Sequence, residues 1–556
     1  MIDRNDDGGN RGALAGLTTA WILLALAGAA GPGHAATGTP VVSAEGEELG
    51  SVALASSCPP ETQALLERGL ALLHHMNYVR AEEAFLAAGE ADPECALAWW
   101  GVAMTAVHPL WPDTIPAEKL VAGRALLDRA TGAAHRDERE GAWVAALAGY
   151  YEGERAERER LASFEEGWAA VHAAFPDDAE AAAFHALSLL ATADVSDKTY
   201  ERQIAAGAIL ERVLERVPSH PGAHHYTIHA YDVPELAERA LPVVRRYGGL
   251  APENTHALHM TSHIYTRLGM WPESIEFNRR AAAASEERVA GGHVSLHHFH
   301  AYDYLAYAHL QRADDEAAGE VLEAVRALEP PFQDHSATAY AIAAVPARLA
   351  LARHDWERAA ALVLERPDAV AWDHYPYLEA IPAFARALGA ARTGRPAEAE
   401  AAIAELARLQ QAAAALDVAY DWGTQVAIQK RAAESWLAFE SGDVESALAM
   451  AREAAQMEAT TEKNPVTPGE VLPAAELYGD MLLAAERPGE ALAAYRTALA
   501  RSPNRFNSLY GAARAAELAG DREAAEGLYR KLLGVCPEPT GEHPELERAR
   551  EVVRAG

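Results

Sequence analysis

Along most of this chain, small and large apolar residues return three or four positions apart, and Gly, Pro and Asp punctuate the runs. That spacing lines one face of an α-helix. Alanine-rich stretches such as AEAAIAELARLQQAAAALDVAY favour helix further, because alanine gives up no side-chain freedom on entering one. No comparable series of alternating β-branched segments competes with this pattern. It predicts an all-α chain.

The helices recur in pairs. Ala491, Tyr495 and Pro503 return 34 residues later as Ala525, Tyr529 and Pro537. Near the other end Gly69, Ala81, Phe85, Ala88 and Pro93 set out the same spacing, and Trp99 opens the next unit. Small residues let two helices approach, the aromatic ring fills the remaining gap, and the proline stops the second helix. A 34-residue period of this kind is that of tetratricopeptide repeats. The expected fold is therefore an all-α tetratricopeptide-repeat superhelical solenoid of antiparallel helix pairs. A chain of 556 residues suits an array that buries its surface neighbour by neighbour.

Pro218 and Pro252, with Ala206/Leu210 recurring as Ala240/Val244, set central units at 187–220, 221–254, 255–288 and 289–322. The expected organisation is N-terminal repeats over 62–186, the central repeats over 187–322, irregular repeats over 323–471 and C-terminal repeats over 472–556. Ahead of these, residues 36–60 read as a flexible leader. Residues 1–35 combine a polar start, MIDRNDDGGNRG, with the apolar run ALAGLTTAWILLALAGAAG and small residues around Gly33-His34-Ala35. This pattern predicts a cleaved export signal and a periplasmic or secreted protein. A retained, extracytoplasmic membrane anchor is the alternative, since the run is nearly long enough to span.

Charge narrows the partners. With 48 Lys+Arg against 81 Asp+Glu, the net charge of -33 repels nucleic acid and anionic lipid. Membrane association is expected only if the N-terminal apolar segment is retained. Cys58, Cys95 and Cys536 are widely spaced and predict neither a CxxC site nor a disulfide framework.

The histidines change the picture most. Of 23 in the chain, 12 lie between His220 and His309. His225 and His229 are four apart; a 34-residue step gives His259 and His263, and a second gives His293 and His297. As fifth and ninth residues of successive first helices, each pair shares a helical face, with Cβ atoms about 5–6 Å apart. Stacked repeats place these helices side by side along the concave wall, with axes about 8–10 Å apart. Six imidazoles should meet there, extended by His256 and His300. Buried together, they repel if protonated and need many partners if neutral. A metal ion resolves both difficulties; a proton- or anion-binding histidine cluster and a purely structural one are the alternatives. Asp232 and Asp303 are placed to complete its shell or orient an imidazole, Arg267 to hold an anionic substrate, and Tyr226, Tyr265 and Tyr304 to pack or donate nearby.

The stretches HYTIHAYDVPELAERAL (225–241), THALHMTSHIYTRLGMWPESIEFN (255–278) and HHFHAYDYLAYAHLQ (297–311) resemble a family of large bacterial tetratricopeptide-repeat proteins, as does DPECALAWWGVAM (92–104). The resemblance covers most of 62–556. It implies the repeat fold and marks the histidine segment, and it assigns no reaction.

Histidine and carboxylate without a nearby cysteine suit Cu, Fe or Zn as cofactor better than Ca or Mg. The HExxH peptidase arrangement fails, because Tyr226, Thr227 and Ile228 separate His225 from His229 and no glutamate is among them. Three functions stay open. The first is a metal-dependent oxidoreductase (a hydrolase is the weaker form) with Asp232, Arg267 and Asp303 as catalytic candidates and a small molecule or peptide in the groove. The second is a non-catalytic metal-handling protein. The third is a scaffold for a peptide or protein partner.

Overall fold

The computed structural model describes residues 38–42, 46–111, 115–287, 292–418 and 420–555. The proposed signal or anchor over 1–35 lies outside the described residues. No described helix is long and apolar enough to cross a membrane.

Among the described residues, the chain forms twenty-five α-helices stacked as antiparallel pairs, with one two-stranded sheet. The fold is an all-α solenoid of tetratricopeptide type. Its packing follows the small–aromatic logic of the repeat. A Cβ added to Gly69 or Gly101 would meet the Phe85 ring at 2.8 and 2.3 Å, and one on Gly479 or Gly511 would meet Tyr495 at 2.8 and 2.3 Å. One aromatic ring thus sits in the hollow left by glycines of two successive repeats. The turns between paired helices carry left-handed residues, among them Met76, Gly269, Ala313, His354, Gly394 and Gly520. That conformation ends the first helix and starts the return.

Three features depart from the expectations drawn from the sequence. First, the stretch read as a flexible leader contains an ordered hairpin, strands Thr39–Val42 and Glu48–Val52. Leu49 and Val52 are fully buried, and the Ser51 amide donates to the Ser219 carbonyl at 2.9 Å. Second, Cys58 and Cys95 are joined in a disulfide. The helices between them fold back and bring together positions that wide spacing kept apart.

Third, the central units are not all 34 residues long. The helix Ala179–Ala191 runs through the boundary placed at 187. The helices Pro221–Tyr231 and Thr255–Arg267 begin where the units were placed. The next first helix is Leu296–Gln311, starting well after 289 because Trp271–Glu287 and its connection are longer than the repeat allows.

The inner face of the central repeats is covered. Residues 460–473, far along the chain, cross it. Tyr304 Oη donates to the carbonyls of Pro465 and Thr467 at 3.3 and 3.2 Å, and Arg348 donates to the Gly469 carbonyl at 3.0 Å. The C-terminal repeats then dock on the turns of the central ones. Trp271 Nε1 donates to the Asn504 carbonyl at 3.0 Å, and the Thr540 amide to the Ala313 carbonyl at 2.9 Å. Where an open groove was expected, the face that bears the histidines is buried.

Candidate metal centre

The centre is built from three first helices. Pro221–Tyr231 supplies His225 and His229, Thr255–Arg267 supplies His256, His259 and His263, and Leu296–Gln311 supplies His297 and His300. On one helix the spacing of four sets each pair together, with ring centroids 4.9 Å apart for both His225/His229 and His259/His263. Between helices the neighbours are not those of a 34-residue step. His225 meets His256, 31 positions on, with Nε2 atoms 3.2 Å apart. His259 lies against His300 at a centroid distance of 4.0 Å, and His256 against His297 at 4.7 Å. The place that the expected lattice gave to His293 is therefore taken by His300. His293 precedes the helix, is exposed, and does not join the cluster.

Hydrogen bonds on the far nitrogens decide what the near ones offer. His259 Nδ1 is 2.7 Å from Asn278 Oδ1. The Asn278 amide nitrogen donates to the Ser274 carbonyl at 2.8 Å, which fixes the oxygen toward the histidine. His259 therefore donates from Nδ1 and keeps a lone pair on Nε2. His263 Nδ1 faces Asp232 Oδ2 at 3.1 Å, and His225 Nδ1 faces the His74 carbonyl at 2.6 Å. Both partners only accept, so these two rings also carry Nε2 lone pairs. Yet His259 Nε2 and His263 Nε2 face each other at 3.0 Å, and His225 Nε2 lies 3.1 Å from His229 Nε2. His256 Nδ1 and His297 Nδ1 are buried with no hydrogen-bond partner among the described residues.

A proton shared between such rings would answer the repulsion, but burial opposes it. Burial, with the mutual repulsion of neighbouring imidazoles, holds His225, His256, His259 and His300 well below the ordinary histidine range. The rings are neutral donors of lone pairs. One nitrogen each from His259, His263 and His300 lies within 4.8 Å of the others, a spacing that one ion can span. The cavity beside them is about 10 Å³, room for a single water or ion. Two thioethers, Met76 and Met260, share its wall.

The expected catalytic residues have other engagements. Asp232 accepts from Arg267 Nε at 3.0 Å and Lys463 Nζ at 2.9 Å, besides His263. Burial pushes its carboxyl upward, but Lys463, Arg267 and His263 outweigh that and hold it well below the carboxylate range. It orients His263 and is a poor base. Arg267 spends Nε and a terminal nitrogen on Asp232 and on the Asp232 carbonyl, at 3.0 and 2.8 Å, rather than on an anionic substrate. Asp303 turns from the histidines to Arg348, at 2.7 and 3.3 Å. Tyr304 lies over His263, Tyr226 bonds His74, and Tyr265 packs on Phe277.

Sequence reasoning missed Lys463, Trp111 and His335. Trp111 stands edge-on to His335 at 4.8 Å and lies about 6 Å from His256 and His300. No local pattern marks any of these three: Lys463 and Trp111 come from distant parts of the chain, and His335 caps the helix Ser336–Ala352, which packs on Leu296–Gln311.

Fold and centre together define a tetratricopeptide-type solenoid closed over a buried cluster of neutral histidines. No protein-family model and no curated protein matches the chain. Among solved structures, it is similar to Cut9 in the APC/C hetero-tetramer Cut9–Hcn1, at 12% identity and TM-score 0.36, covering 89% of this chain and 76% of that one. Yeast Tom70 is similar at 11% identity and TM-score 0.32, over 89% and 95%. A tetratricopeptide repeat protein from Parabacteroides merdae ATCC 43184 is similar at 11% identity and TM-score 0.27, over 54% and 97%. Likeness at this level carries no argument about function.

Proposed function

We propose that the protein is an exported metalloprotein whose histidine cluster binds one or two transition-metal ions. The observation that carries this reading is the fixed set of far-side hydrogen bonds, which aims the Nε2 lone pairs of His225, His259 and His263 at other ring nitrogens 3.0–3.2 Å away. Ligating histidines are held in this way, the second nitrogen donating to a carboxylate, amide or carbonyl oxygen. His259, His263 and His300 form one ligand set, and His225 beside it has His229 and His256 within 3.1 and 3.2 Å.

Copper stands first among Cu, Fe and Zn. The ligands are neutral, the site is buried, and Met76 and Met260, which carry soft thioethers, line the cavity beside it, conditions that suit a monovalent copper ion with the least charge to compensate. Bound there, copper supplies one-electron chemistry, so an oxidoreductase fits better than a hydrolase. Hydrolysis also wants a basic carboxylate, and Asp232 is held ionised by two cations. The Cys58–Cys95 disulfide suits passage through an oxidising compartment, in line with the export pattern of residues 1–35. A scaffold for a protein partner remains the alternative open to this fold. Residues 460–473 already occupy the histidine face, so such a partner would use another surface.

The test is elemental analysis of protein purified without an affinity tag, wild type beside His259→Ala/His263→Ala. Stoichiometric copper, iron or zinc in the wild type, with at least one equivalent lost in the variant, is expected. Metal-free wild type that also takes up none of the three on reconstitution overturns the reading.

A further inference from the structure

A second, larger cavity borders the histidine centre. It measures about 310 Å³, near the lower end of the size of small-molecule sites. Met76 and Trp111 line both cavities, so one layer of side chains separates them. His297 belongs to both regions as well: it lines the larger cavity, and its ring lies 4.7 Å from that of His256. The histidine cavity itself has no room for an organic molecule. Any such molecule meeting the centre needs a space beside it, and the larger cavity is that space.

Its walls state what it accepts. Tyr78 and His108, stacked at 4.1 Å, and Trp111 and His335, edge to face at 4.8 Å, all belong to the lining. A lining so rich in flat rings favours a flat guest. Among the described residues, the charged ones of the lining are Glu82, Glu157 and Asp334 against Lys119. That balance disfavours an anion and favours a neutral or cationic one.

We propose that this cavity binds a small aromatic molecule, neutral or cationic, and holds it against the histidine centre across Trp111 and His297. The binding half stands on the cavity alone. The placement half rests on the metal reading above, and the experiment separates them.

The probes are tryptamine, indole and indole-3-acetate, which share one ring system and carry a positive, zero and negative charge. Calorimetric titration into metal-free protein should show tryptamine and indole binding, with indole-3-acetate at least tenfold weaker. Val79 lines the cavity and is 42% exposed, so its side chain can be enlarged without entering the core. Val79→Trp should abolish probe binding and leave metal content unchanged. In copper(II)-loaded protein, tryptamine should shift the visible and paramagnetic-resonance spectra of the metal, and should not do so in Val79→Trp. No binding of tryptamine or indole, or preferred binding of the acetate, overturns the pocket. Probe binding that Val79→Trp abolishes, with copper spectra unmoved, overturns the placement. Failure of the wild type to take up copper, iron or zinc removes the metal reading while the titrations still decide the pocket.

Discussion

Two groups of buried histidines stand within one helix of each other, and they are satisfied in opposite ways. His74, Glu180 and His220 form the first. His74 places Nε2 2.7 Å from Glu180 Oε2 and Nδ1 3.0 Å from Tyr226 Oη; His220 Nε2 faces the same carboxylate oxygen at 3.1 Å while its Nδ1 accepts from the Ala223 amide. The other Glu180 oxygen accepts from the Ala53 amide at 2.6 Å. Every nitrogen has a partner, although two histidines and a carboxylate are nominally a metal-ligand set. In the second group, lone pairs face lone pairs and two ring nitrogens have no partner among the described residues. Residue types alone do not separate a structural network from a candidate centre; the hydrogen-bond inventory does.

The comparison breaks first at Glu180. Glu180→Ala leaves two buried imidazole nitrogens and the half-buried Ala53 amide without their acceptor, and should cost about 3–5 kcal/mol of stability at roughly 1–3 kcal/mol for each orphaned group. Chemical denaturation of metal-free protein measures it. A loss below about 1 kcal/mol would show that the first group is not the structural network described.

Asp232 comes next, since it orients His263 without lying among the ligands. Asp232→Asn should weaken metal binding about 10- to 100-fold through loss of that orientation. Competition with a chelator of known affinity reads the change. Unaltered affinity would reduce Asp232 to a charge partner of Lys463 and Arg267.

Last comes a pH dependence, to which histidines outside the ligand sets contribute. Burial, against an opposing hydrogen bond to the Leu49 carbonyl, brings His75 down to about 3; burial likewise brings His224 down to about 4. Both are neutral in the folded protein and take up protons near 6.5 once unfolded. Their contribution to stability is complete above pH 6.5 and is lost as pH falls from there toward 4 and 3. Each adds a slope of up to about 1.4 kcal/mol per pH unit over that window. Denaturation midpoints of metal-free protein between pH 7.5 and 5 should therefore fall with acid. A flat profile would mean that these histidines already carry protons in the folded state.

Much of this architecture was legible as pattern. The recurrence of Ala491, Tyr495 and Pro503 marked helix pairs that the structure contains, since helix period and close packing are written in neighbouring residues. The pairs His225/His229 and His259/His263 share their helical faces for the same local reason. The disulfide was not legible, because Cys58 and Cys95 meet through a helix pair that folds between them.

What the sequence determined by itself is therefore the helices, their pairing, and which histidines share a face; each of these depends on residues within a turn or a repeat. The tertiary structure alone decided which histidines meet across helices. A first helix that starts at Leu296 moved His300 into the centre and left His293 outside. It also decided that the groove is closed, that Lys463 reaches Asp232 from 231 residues away, and that Trp111 stands between the centre and its neighbouring cavity. These depend on how far each repeat displaces the next and on a distant segment folding back. No repeat carries that information within its own length.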